Sequence, residues 1–337
     1  MKLNVYYESG GTAWCHSMAF NETYNLLLET YPEIEFNFVD SVALRIPSGY
    51  SGGGSKFGPH FMIIENDETK KYFIISYWDK IGDIKKTNWD LENCVEVFTS
   101  SGVHIEDYYY KPLGIEYTPI SYVSTTMDNQ RLIEELYNNK PPFEKQTIYD
   151  KVKNTLKVGK PKNTTGRIYP DKLMFRGYLY LFRKYLESDN RFNMLSTQLE
   201  GNILDAGNYI RELDKYNLNL SLNGAGEICF RDIEILGLGT ALIRPKLVTK
   251  FHNELIPDYH YISVDFSSVE WNILDYPDPL YWIKLSDKLH ERFMEVKDDW
   301  DYINYVAENG RKWYEENGTT KANAKIIVSL LDFKKLL

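Results

Sequence analysis

The residues whose types and spacing best suit chemistry lie in the run LNLSLNGAGEICFRDIEILGLGTALIRP, residues 218–245. It reads as strand, glycine turn, helix, glycine stop and strand. Gly224 and Gly226 let the backbone turn sharply and approach a ligand closely. The helix that follows presents unpaired N–H groups and the positive end of its dipole to an anion. A helix over 227–236 puts Glu227, Arg231 and Glu234 on one face, at i, i+4 and i+7. Cys229, Ile233 and Leu236 then turn to the core. An arginine one turn into such a helix reaches a diphosphate, and a neighbouring carboxylate holds a ribose hydroxyl. Asn223 and Arg244 are loop residues at strand ends on the ligand side of the same sheet. The simpler reading of Glu227 and Arg231 is a helix-surface ion pair worth about 0.3–0.5 kcal/mol. Cys229 stands where the dinucleotide fingerprint needs its third glycine, which disfavours a plain nicotinamide-binding motif.

Elements that position these residues follow from periodicity. Residues 3–8 alternate as a strand and run into a loop at 9–12, then a helix over 17–30. Further strands are expected over 34–40, 61–65, 72–77, 95–98 and 120–123, with a Gly/Ser loop over 48–55. The polar, proline-bearing stretch 157–170 marks a domain boundary. Beyond it strands and helices alternate: strands over 173–175, 192–196, 218–222, 240–243 and 261–265, helices over 178–186, 206–215 and 227–236. From Pro279 onward the pattern is helical, with Trp282, Leu285, Leu289 and Phe293 at helix spacing. The chain therefore reads as α/β, its second half a doubly wound parallel sheet that holds ligands beyond the carboxyl ends of its strands. The division expected is 1–160, 161–310 and C-terminal helices over 311–337 that cross back to the first domain.

Composition narrows the classes. The 337 residues are 43% hydrophobic and 26% charged, enough apolar mass for more than one core. Thirty-nine Lys and Arg against 48 Asp and Glu give a net charge of −9, which argues against a nucleic-acid partner. Three widely spaced cysteines, Cys15, Cys94 and Cys229, fit free thiols in a reducing compartment rather than a metal site. The N-terminus lacks an apolar signal core and no run is long enough for a membrane span, so a cytoplasmic protein is expected. Aromatic residues reach 15%, with 27 tyrosines. That suits stacking on sugar rings, although genome bias is the simpler cause.

Three blocks, taken in order and spacing, resemble the sugar-donor half of the glycosyltransferases related to family 90, the capsule-associated and protein O-glucosyltransferase group. They are Phe175-Arg176-Gly177, the glycine turn with Arg231, and FHNELIPDYHYISVDFSSV at 251–269; together they cover about residues 170–275. The chain departs from the family in having Tyr178 where a serine is usual, and Lys184 beside Arg183 where an arginine is usual. The resemblance implies GT-B architecture, two Rossmann-like domains facing across a cleft. It implies an inverting, metal-independent transfer from a nucleotide sugar, a UDP-sugar foremost, to a hydroxyl of a glycan, with no further cofactor. Donor contacts fall to Arg176, Gly177, Arg183, Lys184, Asn223, Gly224, Gly226, Glu227, Arg231, Glu234 and Arg244, where fixed positive groups replace a metal at the departing diphosphate.

Inversion also requires a general base beside the acceptor hydroxyl. Asp79, directly after the strand over 72–78, is the first candidate, and a loop-capping aspartate is its equally weighted alternative. His16, in the loop after the first strand, is the second, and His60 a weaker third. Trp78, Trp89 and Tyr108-Tyr109-Tyr110 are candidates for stacking on an acceptor sugar. Asp299-Trp300-Asp301 reads as a solvated helical face rather than a metal-binding Asp-x-Asp. For His260 the expected work is packing and a hydrogen bond at a strand start. Two alternatives stand beside this function: a non-catalytic glycan-binding protein on a decayed GT-B scaffold, and a glycosyltransferase acting on a modified DNA base, as in some viruses.

Overall fold

The computed structural model describes residues 1–9, 16–40, 60–77, 91–100, 115–123, 127–140, 191, 206–221, 227–267 and 279–337. The chain is mixed α/β and divides into two compact units. One comprises Met1–Met127, Thr249–Glu254 and Glu315–Leu337; the other comprises Asp128–Val248 and Leu255–Tyr314.

The first unit is built on a six-stranded sheet. Its strands are β1 (Lys2–Tyr7), β2 (Glu35–Asp40), β3 (Phe61–Asn66), β4 (Tyr72–Ser76), β5 (Cys94–Thr99) and β6 (Glu116–Pro119), in the order β2-β1-β3-β4-β5-β6. Helix α1 (Ser17–Thr30) links β1 to β2, a long crossover that makes them parallel. β3 and β4 are joined by a turn at Asn66–Lys71, too short for a crossover, so they run antiparallel. β3 is also antiparallel to β1, while β4, β5 and β6 run parallel to one another. The sheet is therefore mixed, unlike the all-parallel sheet of a Rossmann-like domain, because one hairpin strand is inserted beside β1.

β3 and β4 lie at its centre, and nearly all their residues are buried. Alternate residues serve opposite faces. Phe73, Ile75 and Tyr77 join Phe20 and Leu27 of α1 on one side; Tyr72 and Ile74 join Phe61, Cys94 and Val97 on the other. A late segment completes the first face. Ile327 and Val328 of a helix over Thr320–Leu330, with Phe333 and Leu336 beyond it, pack into the same cluster. Asn66 Nδ2 and Thr69 Oγ1 of the hairpin turn both donate to the Leu336 carbonyl, at 3.3 and 2.7 Å.

α2 spans Met127–Asn138 and enters the second unit at Asp128; there α3 (Ala206–Asp214), β7 (Leu218–Leu220), α4 (Phe230–Gly237) and β8 (Ala241–Lys246) follow, with β9 at Ile262–Ser267. The three strands form a parallel sheet in the order β7-β8-β9. Leu218, Leu220, Ala241, Ile243, Ile262 and Val264 supply its core face. Against them pack Leu285 and Leu289 of α5 (Pro279–Val296) and Ile303 and Val306 of α6 (Trp300–Trp313). Asp299 caps α6, its carboxylate accepting from the Tyr302 N–H at 3.1 Å, so the Asp-x-Asp works at a helix start. The helix over Thr320–Leu330, in the first unit, is α7.

A close approach explains one glycine. A Cβ on Gly310 of α6 would stand 2.7 Å from both the His260 carbonyl oxygen and Leu236. Among the described residues no helix is long and apolar enough to cross a membrane.

Candidate functional site

Two clusters of polar side chains stand out, one in each unit. In the first unit the carboxyl ends of β4, β5 and β6 and the start of β3 form one sheet edge. Main-chain bonds knit it together: Tyr77 N–H to the His60 carbonyl at 3.0 Å, Ser100 N–H to Ser76 at 3.1 Å, and Ile120 N–H to Thr99 at 2.9 Å. His16, the residue before α1, comes to this edge because β1 and α1 are joined there. Its Nδ1 lies 3.2 Å from Nδ1 of His60, a hydrogen bond in which one imidazole donates and the other accepts. The His16 ring stacks on Tyr77 at 4.8 Å between centroids and meets Tyr122 edge-on at 5.7 Å. Tyr77 in turn donates from its hydroxyl to Asn323 Oδ1 of α7 at 2.5 Å, and Asn323 Nδ2 donates to the Ser121 carbonyl at 2.8 Å.

Electrostatics at this edge favour neutral groups. Burial, and then the His60 ring beside it, holds the His16 imidazole well below the usual histidine range. Burial alone brings His60 down to about 4. His16 is enclosed, whereas His60 keeps part of its surface open. Ser100 and Ser121, at the ends of β5 and β6, are wholly buried, and their hydroxyls have no partner among the described residues.

In the second unit the cluster surrounds the start of α4. The helix begins at Phe230, with Cys229 as its cap, rather than at Glu227. Asp232 at the third helical position accepts from the Cys229 N–H at 2.8 Å, one arm of a capping box. Its second oxygen receives Arg244 Nη1 at 2.6 Å, with both side chains completely buried. Arg244 Nη2 donates to the Glu227 carbonyl at 2.7 Å, which ties β8 to the segment before the helix. Burial opposes the Arg244 charge, and Asp232 and Glu227 more than offset it, so the guanidinium stays charged. Asp232 thus brings a carboxylate of the protein itself to the helix start.

Glu227 lies outside the helix, and its carboxylate accepts from the Val248 N–H at 2.8 Å, just beyond β8. Glu234 is buried and accepts from Asn129 Nδ2 at 3.2 Å. Arg231, in the first turn of α4, keeps some exposure, and its Nε donates to the Tyr209 hydroxyl of α3 at 2.9 Å. Burial works against its charge, but Tyr209, Cys229 and Asp232 hold it protonated. Burial, with Asp232 beside it, pushes the Cys229 thiol up to about 11, so it is a thiol at neutral pH.

Of the residues singled out in the sequence, the structure brings Glu227, Arg231, Glu234 and Arg244 around α4 in the second unit and sets His16 beside His60 in the first. Asp79, Arg176, Gly177, Arg183, Lys184, Asn223, Gly224 and Gly226 lie outside the described residues, as do Trp78, Trp89, Tyr108–Tyr110 and the stretch 157–170. Residues that the sequence did not single out are Tyr209 and Asp232 in the second unit and Tyr77 and Asn323 in the first. Asp232, three residues after the cap, carries a legible capping signal, although cysteine rarely fills the cap. His260 Nδ1 accepts from the Ile256 N–H at 2.9 Å, a turn-closing bond before β9. Among the described residues no group of three or more His, Cys, Asp or Glu is arranged to hold a metal.

No protein-family model matches the chain, and no curated protein matches it.

Proposed function

We propose that the protein is an inverting, metal-independent glycosyltransferase that moves a sugar from a nucleoside-diphosphate sugar to a hydroxyl of a glycan, on a GT-B arrangement with the donor in the second unit. One observation carries the reading. Arg231 stands in the first turn of the helix that follows β7, held by Tyr209 and kept charged, where a parallel sheet binds its ligand. A fixed cation there stabilises the charge that develops as the diphosphate leaves. The resemblance of the blocks at 175–177, 224–231 and 251–269 to the family 90 donor half supports the same assignment.

The test is a thermal-shift panel of UDP, GDP and their sugars with no added metal, run on the wild type and Arg231→Ala. The wild type is expected to be stabilised by one nucleotide class, and the variant to lose that shift and all transfer while keeping its fold. A variant that binds and transfers as well as the wild type would sink the assignment.

A second reading has an observation of its own. Arg244, Glu227 and Glu234 all spend hydrogen bonds on the protein itself, which suits a scaffold that binds glycan without a nucleotide. It requires glycan binding with no nucleotide response in the same panel.

A further inference from the structure

The histidine pair at the edge of the first sheet supports a role of its own, which rests on the glycosyl-transfer reading. We propose that His60 is the catalytic base for the acceptor hydroxyl and that His16 is the positioning residue that fixes its tautomer.

Geometry carries the proposal. The two Nδ1 atoms are 3.2 Å apart and share one proton. His60 Nδ1 is committed to His16, so any proton that His60 takes from a ligand enters at Nε2. His16 has little freedom to move. Its ring is enclosed, stacked on Tyr77 and braced edge-on by Tyr122, and Tyr77 is itself tied to Asn323. His60 sits at the start of β3 with part of its surface open, on the edge shared by the carboxyl ends of β4, β5 and β6. The hydroxyls of Ser100 and Ser121 end the neighbouring strands of that edge, fully buried and without partners among the described residues.

The step balances as follows. The acceptor oxygen uses a lone pair to form its bond to the anomeric carbon. The bond from that carbon to the diphosphate oxygen breaks, and its electron pair leaves with the diphosphate. The acceptor proton passes to Nε2 of His60, and the cation formed shares its Nδ1 proton with His16. A low basicity does not bar this role. In a transition state with oxocarbenium character, the attacking oxygen sheds its proton after bonding to carbon has begun, when that O–H is strongly acidic. His60 is then base enough, and it is fully deprotonated across neutral pH.

Nitrogen-15 spectra of the histidines in the whole protein, between pH 5 and 8, give the first test. The expected signature is a His60 ring protonated at Nδ1 and bare at Nε2, lost in His16→Phe. A His60 protonated at Nε2 in the wild type overturns the proposal whatever the donor. The second test uses the nucleotide sugar that binds best among UDP-glucose, UDP-galactose, UDP-xylose and GDP-mannose, and follows release of the diphosphate with water as acceptor. His60→Gln should lower turnover about 100-fold or more with nucleotide affinity unchanged. His16→Phe should lower it less, with a partial return in His16→Gln. If His16→Phe fails to fold, His60→Gln and the wild-type spectra decide. Full turnover in His60→Gln, with collapse in Asp79→Asn, overturns the role of His60 and leaves glycosyl transfer standing. A panel in which nothing binds instead overturns glycosyl transfer, and this role with it.

Discussion

Each unit buries ionisable side chains beside its sheet, and the two meet the cost of burial in opposite ways. In the second unit Arg244 and Asp232 keep their charges, in contact at 2.6 Å with no solvent exposure. In the first, His16 and His60 give up charge, and the neutral pair shares a single proton. A paired charge that is fully enclosed costs less than an unpaired one, and only while the partner stays. Neutral imidazoles avoid the desolvation cost, but they lose stability once acid forces a proton on them. The contrast separates an enclosed charge pair from a neutral pair open to protonation. Nothing small can move on or off the Arg244 pair without breaking the unit, whereas the histidine pair can gain and lose a proton with its neighbours in place.

The largest effect should come from breaking the enclosed pair. Arg244→Ala strands the Asp232 carboxylate and releases the Glu227 carbonyl, and the expected cost is about 3–5 kcal/mol of stability. Asp232→Leu combined with Arg244→Leu should recover part of that loss, since no lone charge remains. Urea denaturation measures both. A loss under about 1 kcal/mol for Arg244→Ala would mean that the pair is solvated. The contrast between the units would then vanish, and Arg244 would be open to a ligand.

Acid should act on the other unit. His60 falls from 6.5 to about 4 on folding, so the unfolded chain binds more protons between those values. Its contribution is complete above about pH 6.5 and is lost as pH falls to about 4, a change of about 3 kcal/mol. His16 moves in the same direction and adds to it. Denaturation at pH 7 and pH 4.5 should show this loss in the wild type and a smaller one in His60→Gln. Equal losses in both proteins would leave the histidines out of the acid response.

How much of this was legible in the sequence depends on how local the cause is. The periodic run of α1 predicts its helix over 17–30, and the turn-like Asn66-Asp67-Glu68 between two strand runs announces the β3–β4 hairpin; both are short-range signals. The strand expected over 120–123 instead occupies Glu116–Pro119. Ile120 and Val123 are buried because they close the sheet edge, and apolar character alone does not separate that from strand pairing. The helix expected from Glu227 starts three residues later because Cys229 and Asp232 cap it. The helix over Met127–Asn138 is not among the elements expected, although Leu132, Ile133, Leu136 and Tyr137 stand at helix spacing. His16 and His60 are 44 residues apart and meet only because β1 pairs with β3; no local pattern encodes such a pair. Arg244, expected in a loop at a strand end, lies instead within β8, paired in the ladder with Ser263, and its burial against Asp232 depends on how β8 packs on α4.

A smaller effect tests how firmly the histidine edge is braced. Tyr77→Phe keeps the ring that stacks on His16 but removes the hydroxyl that donates to Asn323. Asn323 Oδ1 then loses that donor in a buried setting, for an expected cost of about 1–3 kcal/mol. The same substitution should broaden the His16 imidazole resonances, since its support is looser. Unchanged stability would mean that water replaces the hydroxyl and that the edge is wetter than its burial implies.

The smallest effect brings the comparison to the surface. Lys335 Nζ stands 2.8 Å from Glu96 Oε2 and 2.8 Å from Glu116 Oε2, contacts as short as those of many buried pairs. Solvent reaches both Lys335 and Glu116, and it screens the attraction. Glu96 is buried, yet it also accepts from the Thr118 hydroxyl at 2.5 Å and so keeps a partner when the lysine goes. Lys335→Met should therefore cost only about 0.5–1 kcal/mol at low salt and less at 0.5 M salt. The Arg244→Ala loss should hardly respond to salt, because its charges are enclosed. If the two variants show the same salt dependence, burial is not what distinguishes the two ion pairs.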